Sequence, residues 1–467
     1  MGQVGVLLQT LHNIAQEIPA SRANQIRDQI VKDIYCHAEK VTRKTVVREH
    51  GNFTGDWDRR VDSIVTSRVW GFPIMFGLLG LVFWITIVGA AYPGEVLATG
   101  LFALERQLSL LFNLLGAPAW LHGVLVEGMF RSVAWVVAVM LPPMAIFFPL
   151  FTLLEDIGYL PRVAFNLDRL FKKVGAHGKQ ALTMGMGFGC NAAGIVSARI
   201  IESPRERMIA ILTNSFVPCN GRFPLLIVMA AIMAGSLAGG NLASFAAAGI
   251  VLLAVLFGVL ITLGVSWLLS LTLLKGVPST FTLELPPYRR PQVGRIIIRS
   301  VLDRTIFVLA RAVAVAAPAG VLIWILANTW IGGQNLIAYL VGWLEPLGRS
   351  LSLDGYILMA FILGLPAKET VLPVLLMGYM AAGTMIELGS LNALIEVLAV
   401  EHGWTWVTAL NTMLLTLLLY PCATAIITAY KEAKSLKVAA LVLFMPLIIA
   451  LLVTWGAAQL IRMLGLI

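Results

Sequence analysis

Gly71 to Tyr92 is an apolar run long enough to cross a bilayer, and similar runs recur to the end of the chain. A span of this kind needs about 20 apolar residues. A backbone in lipid must satisfy its own hydrogen bonds, which leaves only helices or closed barrels. No strand-like alternation occurs, so the chain is expected to be all-α, a polytopic helical membrane protein. The composition agrees: 58% of residues are hydrophobic and 13% charged. The net charge of +9 could indicate nucleic acid, but Lys and Arg gather in loops beside apolar runs. Membrane topology explains that placement, and no nucleic-acid partner is expected.

Two apolar stretches are interrupted in ways that lipid-facing helices avoid. Met184-Gly-Met-Gly-Phe-Gly-Cys-Asn191 carries clustered Gly, a thiol and an amide. Val217-Pro-Cys-Asn-Gly-Arg222 adds a Pro and an Arg. Irregular backbone at membrane depth is tolerated only where protein buries it or it lines a cavity, so such segments point to a substrate pathway.

Charge placement then sets the path. The second span, Ser132 to Leu154, is expected to break at Pro142-Pro143 and to lead into a basic loop (Arg162, Arg169, Lys172, Lys173, Lys179). If Gln180 to Ile201 crossed fully, the Arg199, Arg205, Arg207 cluster and the Arg289 to Arg304 loop would both lie outside. Making the Gly-rich segment a re-entrant hairpin from the cytoplasm repairs both. In the second half, Gly355 to Met380 contains Gly364-Leu-Pro-Ala-Lys-Glu369. The Lys/Arg-free stretch up to Tyr430 makes it a hairpin from the outside. Pro421-Cys422 answers Pro218-Cys219. The expectation is two inverted repeats containing broken, re-entrant helices. The divisions are a cytoplasmic helical linker over 1–70, a first span with interfacial helices over 71–130, repeats over 131–275 and 305–467, and a basic cytoplasmic loop over 276–304. Within the linker, Arg22 to Thr45 reads as a surface helix.

One Cys in a span is usually a small buried hydrophobe. Here Cys190, Cys219 and Cys422 each adjoin a helix breaker and a polar residue (Asn191, Asn220, Thr424), which favours function. Thiolate suits Fe(II), Cu(I) or Zn(II), and amide carbonyls suit harder ions. A loose set of such ligands would bind and release. Glu369 reads as a cation ligand or gate, or as the neutralising partner of Lys368. Met184 and Met186 could add soft sulfur. Arg222 could depress the Cys219 thiol, pair with Glu202, or snorkel. Glu155-Asp156 is read as meeting the basic loop, and Cys36-His37 as incidental. No G-x-x-x-x-G-K-[ST] occurs and no nucleophile–base–orienter set is visible, so an enzyme is not expected.

Several motifs together resemble the membrane portion of the ferrous iron transport protein B family (FeoB). They are Leu154-Glu-Asp-Ile-Gly-Tyr-Leu-Pro-Arg162 through Arg169, His177-Gly-Lys179, Gly187-Phe-Gly-Cys-Asn191, Glu202-Ser-Pro-Arg-Glu-Arg207, Glu284-Leu-Pro-Pro-Tyr-Arg289, Ala367-Lys-Glu369 and Tyr420-Pro-Cys-Ala-Thr424. The resemblance runs from roughly residue 25 to the end. It implies paired Gate, or nucleoside-recognition, repeats. It also implies Fe(II) uptake along Cys190, Cys219 and Cys422, with Fe2+ as transported substrate and no permanently bound cofactor, and a bacterial plasma membrane with the N-terminus in the cytoplasm. The family usually carries an N-terminal GTPase; residues 1–70 resemble only the linker that would follow it, so the expectation is a GTPase on a separate polypeptide, or else a member that has lost nucleotide control. The expected partners are therefore the bilayer, a separate GTPase, a small accessory protein and further copies of the chain. Asn191-Ala-Ala-Gly194 and Pro218-Cys-Asn-Gly-Arg222 depart from the family's usual Pro after Gly-Cys-Asn and its Ser-Cys-x-Ala-Arg. The alternatives are a Gate permease for another divalent metal or a nucleoside-like solute, and a non-transporting scaffold.

Overall fold

The computed structural model describes residues 54–67, 69–237, 241–274, 288, 291–386 and 390–465, with scattered positions between 30 and 45. The surface helix expected over Arg22 to Thr45 lies mostly outside them, as does the Glu284-to-Arg289 motif apart from Tyr288. Among the described residues, seven helices are long and apolar enough to cross a membrane.

A short lead-in, α1 (Thr54–Val65), precedes α2 (Gly71–Leu114) and α3 (Ala119–Ile157). Helix α2 continues through Pro93, where the sequence reading ended the span at Tyr92. Helix α3 likewise stays helical through Pro142, Pro143 and Pro149, so the expected break there does not occur. Proline is tolerated where neighbouring helices shelter the freed carbonyls, and α2 and α3 lie against each other at this level.

From span α3 onward the chain runs through one sequence of folds twice. After α3 come an amphipathic helix α4 (Tyr159–Lys173), a helical hairpin α5 (Gln180–Gly189) and α6 (Asn191–Ser197), a broken crossing α7 (Pro204–Thr213) and α8 (Phe223–Leu237), and a closing span α9 (Asn241–Leu271). The second copy starts at span α10 (Val293–Asn328). After a two-residue-strand turn (β1 Trp330–Ile331, β2 Gln334–Asn335) come amphipathic α11 (Leu336–Ser350), hairpin α12 (Gly355–Leu363) and α13 (Val371–Tyr379), and the short α14 (Leu391–Ile395). The broken crossing α15 (Trp406–Leu418) and α16 (Ala423–Ala433) and closing span α17 (Leu436–Met463) complete it. The break residues repeat in backbone angle. Cys190 (φ −153°, ψ 126°) answers Ala367 (φ −146°, ψ 124°). Cys219 (φ −81°, ψ 167°) answers Cys422 (φ −65°, ψ 159°).

Both Gly-rich segments are hairpins. A Cβ on Gly194 would stand 2.9 Å from the Thr183 carbonyl oxygen, and one on Gly378 would stand 2.9 Å from the Tyr356 ring. Continuous helices would hold those pairs about 16 and 33 Å apart. The glycines are the means of folding back. Gly185 and Gly189 lie against the Phe151 and Phe147 rings of α3, and Gly187 and Gly194 against Asn214. Any side chain at these positions would separate the hairpin from its neighbours.

The hairpins enter from opposite faces. Arg199, at the open end of the first, is bidentate with Glu432 near the end of α16 (2.6 Å for both bonds). Arg462, near the end of α17, donates to the Arg349 carbonyl and to Ser352 at the open end of the second. Helix α17 starts beside α16 and has 28 residues, so about 42 Å separates the two faces. The inverted-repeat architecture is therefore present.

On the Arg199 face, α1 is fastened to α4. Arg162 donates to both Asp62 carboxylate oxygens (3.0 and 3.3 Å), Tyr288 donates to Asp62 (2.9 Å), and Asn166 donates to the Val65 carbonyl (2.8 Å). Burial alone would raise the Asp62 carboxyl, but the Arg162 and Tyr288 bonds outweigh it and hold it below the usual range. That contribution is present at neutral pH and is lost as pH falls through the lowered value.

Spans α3 and α10 cross tightly through glycine. A Cβ on Gly320 would meet the Gly128 carbonyl oxygen at 2.3 Å. Gly320→Ala is expected to cost about 1–3 kcal/mol, the range for forcing extra volume into a packed contact. Gly342→Ala, with nothing within 4 Å, should be silent. Melting of the two variants in detergent, followed by size-exclusion fluorescence, checks the difference.

Candidate metal pathway

Each helix break ends hydrogen-bonded backbone in mid-protein and leaves carbonyls or N–H groups without helical partners. All four breaks converge on one cavity of about 30 Å³. The hairpin tips contribute Cys190, Asn191, Ala367, Lys368 and Glu369, and the broken crossings contribute Cys219, Asn220, Cys422 and Thr424. All six residues singled out from the sequence (Cys190, Asn191, Cys219, Asn220, Glu369, Cys422) thus share one wall. The spans α3 and α10 close it with Met140, Met144, Val308 and Ala312.

The surrounding bonds show how each group is held. The Asn191 amide nitrogen, oriented to suit its neighbours, donates to the Gly187 and Val217 carbonyls (3.1 Å each), tying the hairpin tip to the Pro-Cys break. Asn214 donates to the Asn191 carbonyl (2.9 Å). In the second repeat, the Ala423 N–H donates to the Leu365 carbonyl (2.9 Å) and Tyr420 donates to the Phe361 carbonyl (3.1 Å). Between repeats, the Glu369 carboxylate lies against Gly221, where a Cβ would be 2.0 Å from Oε1.

Arg222 has a different role from those expected. Its side chain is 1% exposed. It donates to the carbonyls of Ser215 (2.9 Å), Leu417 (2.8 Å), Leu419 (2.8 Å) and Tyr420 (3.2 Å). The guanidinium thus closes the end of α15 from within the other repeat's break, a cation at helix C-terminal carbonyls. Glu202, its expected partner, takes Lys179 instead (3.2 Å).

The Lys368 ammonium makes no hydrogen bond to Glu369. Lys368 Nζ is buried without a hydrogen bond and sits 4.2 Å from the centre of the Tyr420 ring. Met184 and Met186 are buried in packing away from the cavity wall, which takes its thioethers from Met140 and Met144. Those two lie on α3 within its proline-bearing stretch, with no local signal to mark them. Glu155 and Asp156 are exposed at the end of α3, and Cys36 is exposed. Among the described residues, no three His, Cys, Asp or Glu side chains are close enough to form a metal cage. The groups are spread around a cavity rather than gathered on one point.

Two inverted repeats with re-entrant hairpins meeting at a thiol-lined cavity define a multi-pass helical membrane protein, an architecture that many transporters share. Sequence comparison agrees with that division. The Gate (nucleoside recognition) family matches residues 137–233 and 309–436, one segment in each repeat. The ferrous iron transport protein B C-terminus family matches 251–303, which covers most of α9 and the link into α10. The chain is similar to the membrane part of the ferrous iron transport protein B family. It is 28% identical over 408 residues to the Fe(2+) transporter FeoB of Staphylococcus aureus (strain MSSA476), covering 85% of this chain and 58% of that protein. It is 28% identical over 360 residues to the Fe(2+) transporter FeoB of Legionella pneumophila (strain Philadelphia 1), covering 74% and 46%. It is 30% identical over 269 residues to an Fe(2+) transport protein A/Fe(2+) transporter FeoB fusion protein of Porphyromonas gingivalis, covering 57% and 30%. The chain therefore spans little more than half the length of these relatives, or less. No solved structure matches it significantly.

Proposed function

We propose that this chain is the permease of a ferrous iron uptake system, and that Fe2+ passes through the cavity where the two hairpin tips meet. The observation that carries the reading is the convergence of Cys190, Cys219, Cys422 and Glu369 on that one small space. Three thiols, a carboxylate and two amides suit a borderline cation such as Fe(II). Their spread around the wall suits an ion that must leave again. Thiols must lose protons to ligate, so metal entry would release protons. At about 30 Å³ the cavity has room for an ion with a water or two. Pockets for organic ligands run to about 300 Å³ or more, which disfavours a nucleoside-like cargo.

The protein would sit in a bacterial plasma membrane with the Arg199 face in the cytoplasm. Helix ends carrying Lys172, Lys173, Lys179, Arg199, Arg205, Lys431 and Lys434 gather there, which fits the positive-inside rule. The fusion relative is named for a transport protein A as well as for FeoB, which supports a small accessory partner. A separate GTPase supplying nucleotide control remains part of the proposal.

The test is uptake of radiolabelled Fe(II) and of uridine into proteoliposomes holding the full chain under reducing conditions. Saturable Fe(II) uptake with no uridine uptake is expected. Uridine entry without iron entry would overturn the reading. Silence toward both, persisting when a GTPase, GTP and the accessory protein are supplied, would move the chain to the scaffold alternative.

A further inference from the structure

A second, larger cavity of about 640 Å³ lies between α2, α3 and α8, outward of the helix breaks. Its lining includes Glu95, Thr99, Phe102, Trp135 and Asn220. Asn220 also lines the thiol cavity, so a single side chain stands in the walls of both. Trp135 forms another part of the outer cavity's wall, and its indole N–H donates to the Glu369 backbone carbonyl (3.3 Å). The ring is thereby hooked onto the second hairpin tip while facing the outer space. Trp135 and Phe102 also wall a third space of about 360 Å³ beside Arg131 and Thr384.

We propose that the outer cavity is the vestibule through which a hydrated divalent cation reaches the thiol cavity, with Trp135 as its gate and Glu95 as the recruiting carboxylate. The inference rests on the permease reading and adds the route and the partition. Three observations carry it. The vestibule has room for an ion with its full water shell, whereas the thiol cavity has room for little beyond the ion. The shared Asn220 makes the two spaces neighbours with no helix between them. The wall is largely apolar but carries Glu95, Thr99 and Asn220, and Glu95 lies about 36 Å along α2 from the Gly71 end, at the outer boundary of the membrane. A carboxylate at the mouth of a cleft focuses the field and raises the local cation concentration. A groove that merely held a lipid chain would have no use for Glu95, Thr99 and Asn220 on its wall.

Opening the gate requires only that the indole release one backbone carbonyl and swing toward the space it already borders. The Glu369 side chain, one bond sequence away from that carbonyl, would move with the hairpin tip. Cation arrival and gate release are thus joined at one residue.

The experiment measures how fast a charged, membrane-impermeant methanethiosulfonate, applied from outside to right-side-out vesicles, modifies Cys219 and Cys422 in a Cys36→Ser chain. Trp135→Ala is expected to raise the rate about tenfold or more, equal to about 1.4 kcal/mol in gate opening. Trp135→Phe, which keeps a ring but cannot donate to the Glu369 carbonyl, should also raise the rate, though less than Trp135→Ala. Adding Ala98→Trp, which fills the vestibule, should reverse the acceleration. Equal rates in parent and Trp135→Ala chains would overturn the proposal, and so would acceleration that Ala98→Trp leaves intact. In uptake assays Glu95→Gln should raise the half-saturating Fe(II) concentration and leave the maximal rate unchanged. An unchanged half-saturating concentration would remove Glu95 from the proposal. Thiol modification does not depend on the cargo. If the parent chain, supplied with the GTPase, GTP and the accessory protein, moves no iron yet shows this pattern, the iron reading fails and the vestibule stands. If iron moves and the pattern is missing, the vestibule alone fails.

Discussion

Arg222→Met is expected to be the most damaging single substitution in the chain. Its guanidinium serves four backbone carbonyls, one in its own repeat and three in the other. Each buried acceptor left without a donor costs roughly 1–3 kcal/mol. The loss is on the order of 4 kcal/mol even if half of the carbonyls find new partners. Lysine should not rescue it. One ammonium on a flexible stem cannot reach carbonyls that a planar fork spans at once. The expected result is a large fall in detergent melting temperature for both Arg222→Met and Arg222→Lys, with iron uptake lost in parallel. A fully stable Arg222→Lys would show that charge alone, not the fork, holds the breaks together.

The second large effect is on transport with the fold kept. Cys219→Ser and Cys422→Ser change sulfur to oxygen at partly exposed positions of the cavity wall. Serine is close in size, so melting should move little. Replacing even an outer partner of a metal ligand costs about ten- to a hundredfold in affinity or activity, and a direct ligand should cost at least as much. Iron uptake should therefore fall about tenfold or more in each, while Cys36→Ser, exposed and away from the cavity, serves as the silent control. Undiminished uptake in the Cys219→Ser, Cys422→Ser double variant would remove the thiols from the pathway. Cys190→Ser is a harder probe, because that side chain is buried and its loss mixes packing with ligation.

Much of this architecture was legible beforehand, for identifiable reasons. The positive residues at Arg199, Arg205 and Arg207 had to share a side with the Lys172–Lys179 loop, and only a hairpin between them allows that. The same count on the second half required the opposite entry. Pro218-Cys219 and Pro421-Cys422 read as counterparts because proline beside a polar residue breaks a span wherever it falls. The failures came where a local rule met a tertiary neighbour. Pro93, Pro142 and Pro143 read as ends or breaks, yet α2 and α3 run through them with each other for shelter.

Side-chain roles were harder to see. Lys368 beside Glu369 in sequence suggested a pair, but the hairpin turn sends one toward Tyr420 and the other toward Gly221. Arg222 looked like a modifier of the neighbouring thiol, and the carbonyls it holds lie some 195 residues further along the chain. Met184 and Met186 stood next to Cys190 in sequence, and the cavity took Met140 and Met144 instead.

By itself the sequence determined the class of fold, the two inverted units, their hairpins and the identity of the breaks. Hydropathy, charge asymmetry and helix-breaking residues act locally, and the bilayer imposes the rest. Only the tertiary structure decided which groups share the central cavity, that Arg222 is a clamp across the repeats, and that an outer vestibule adjoins the thiols through Asn220 and Trp135. These depend on distances between segments far apart in the chain, and such distances are set by how glycine faces and aromatic rings fit together in space.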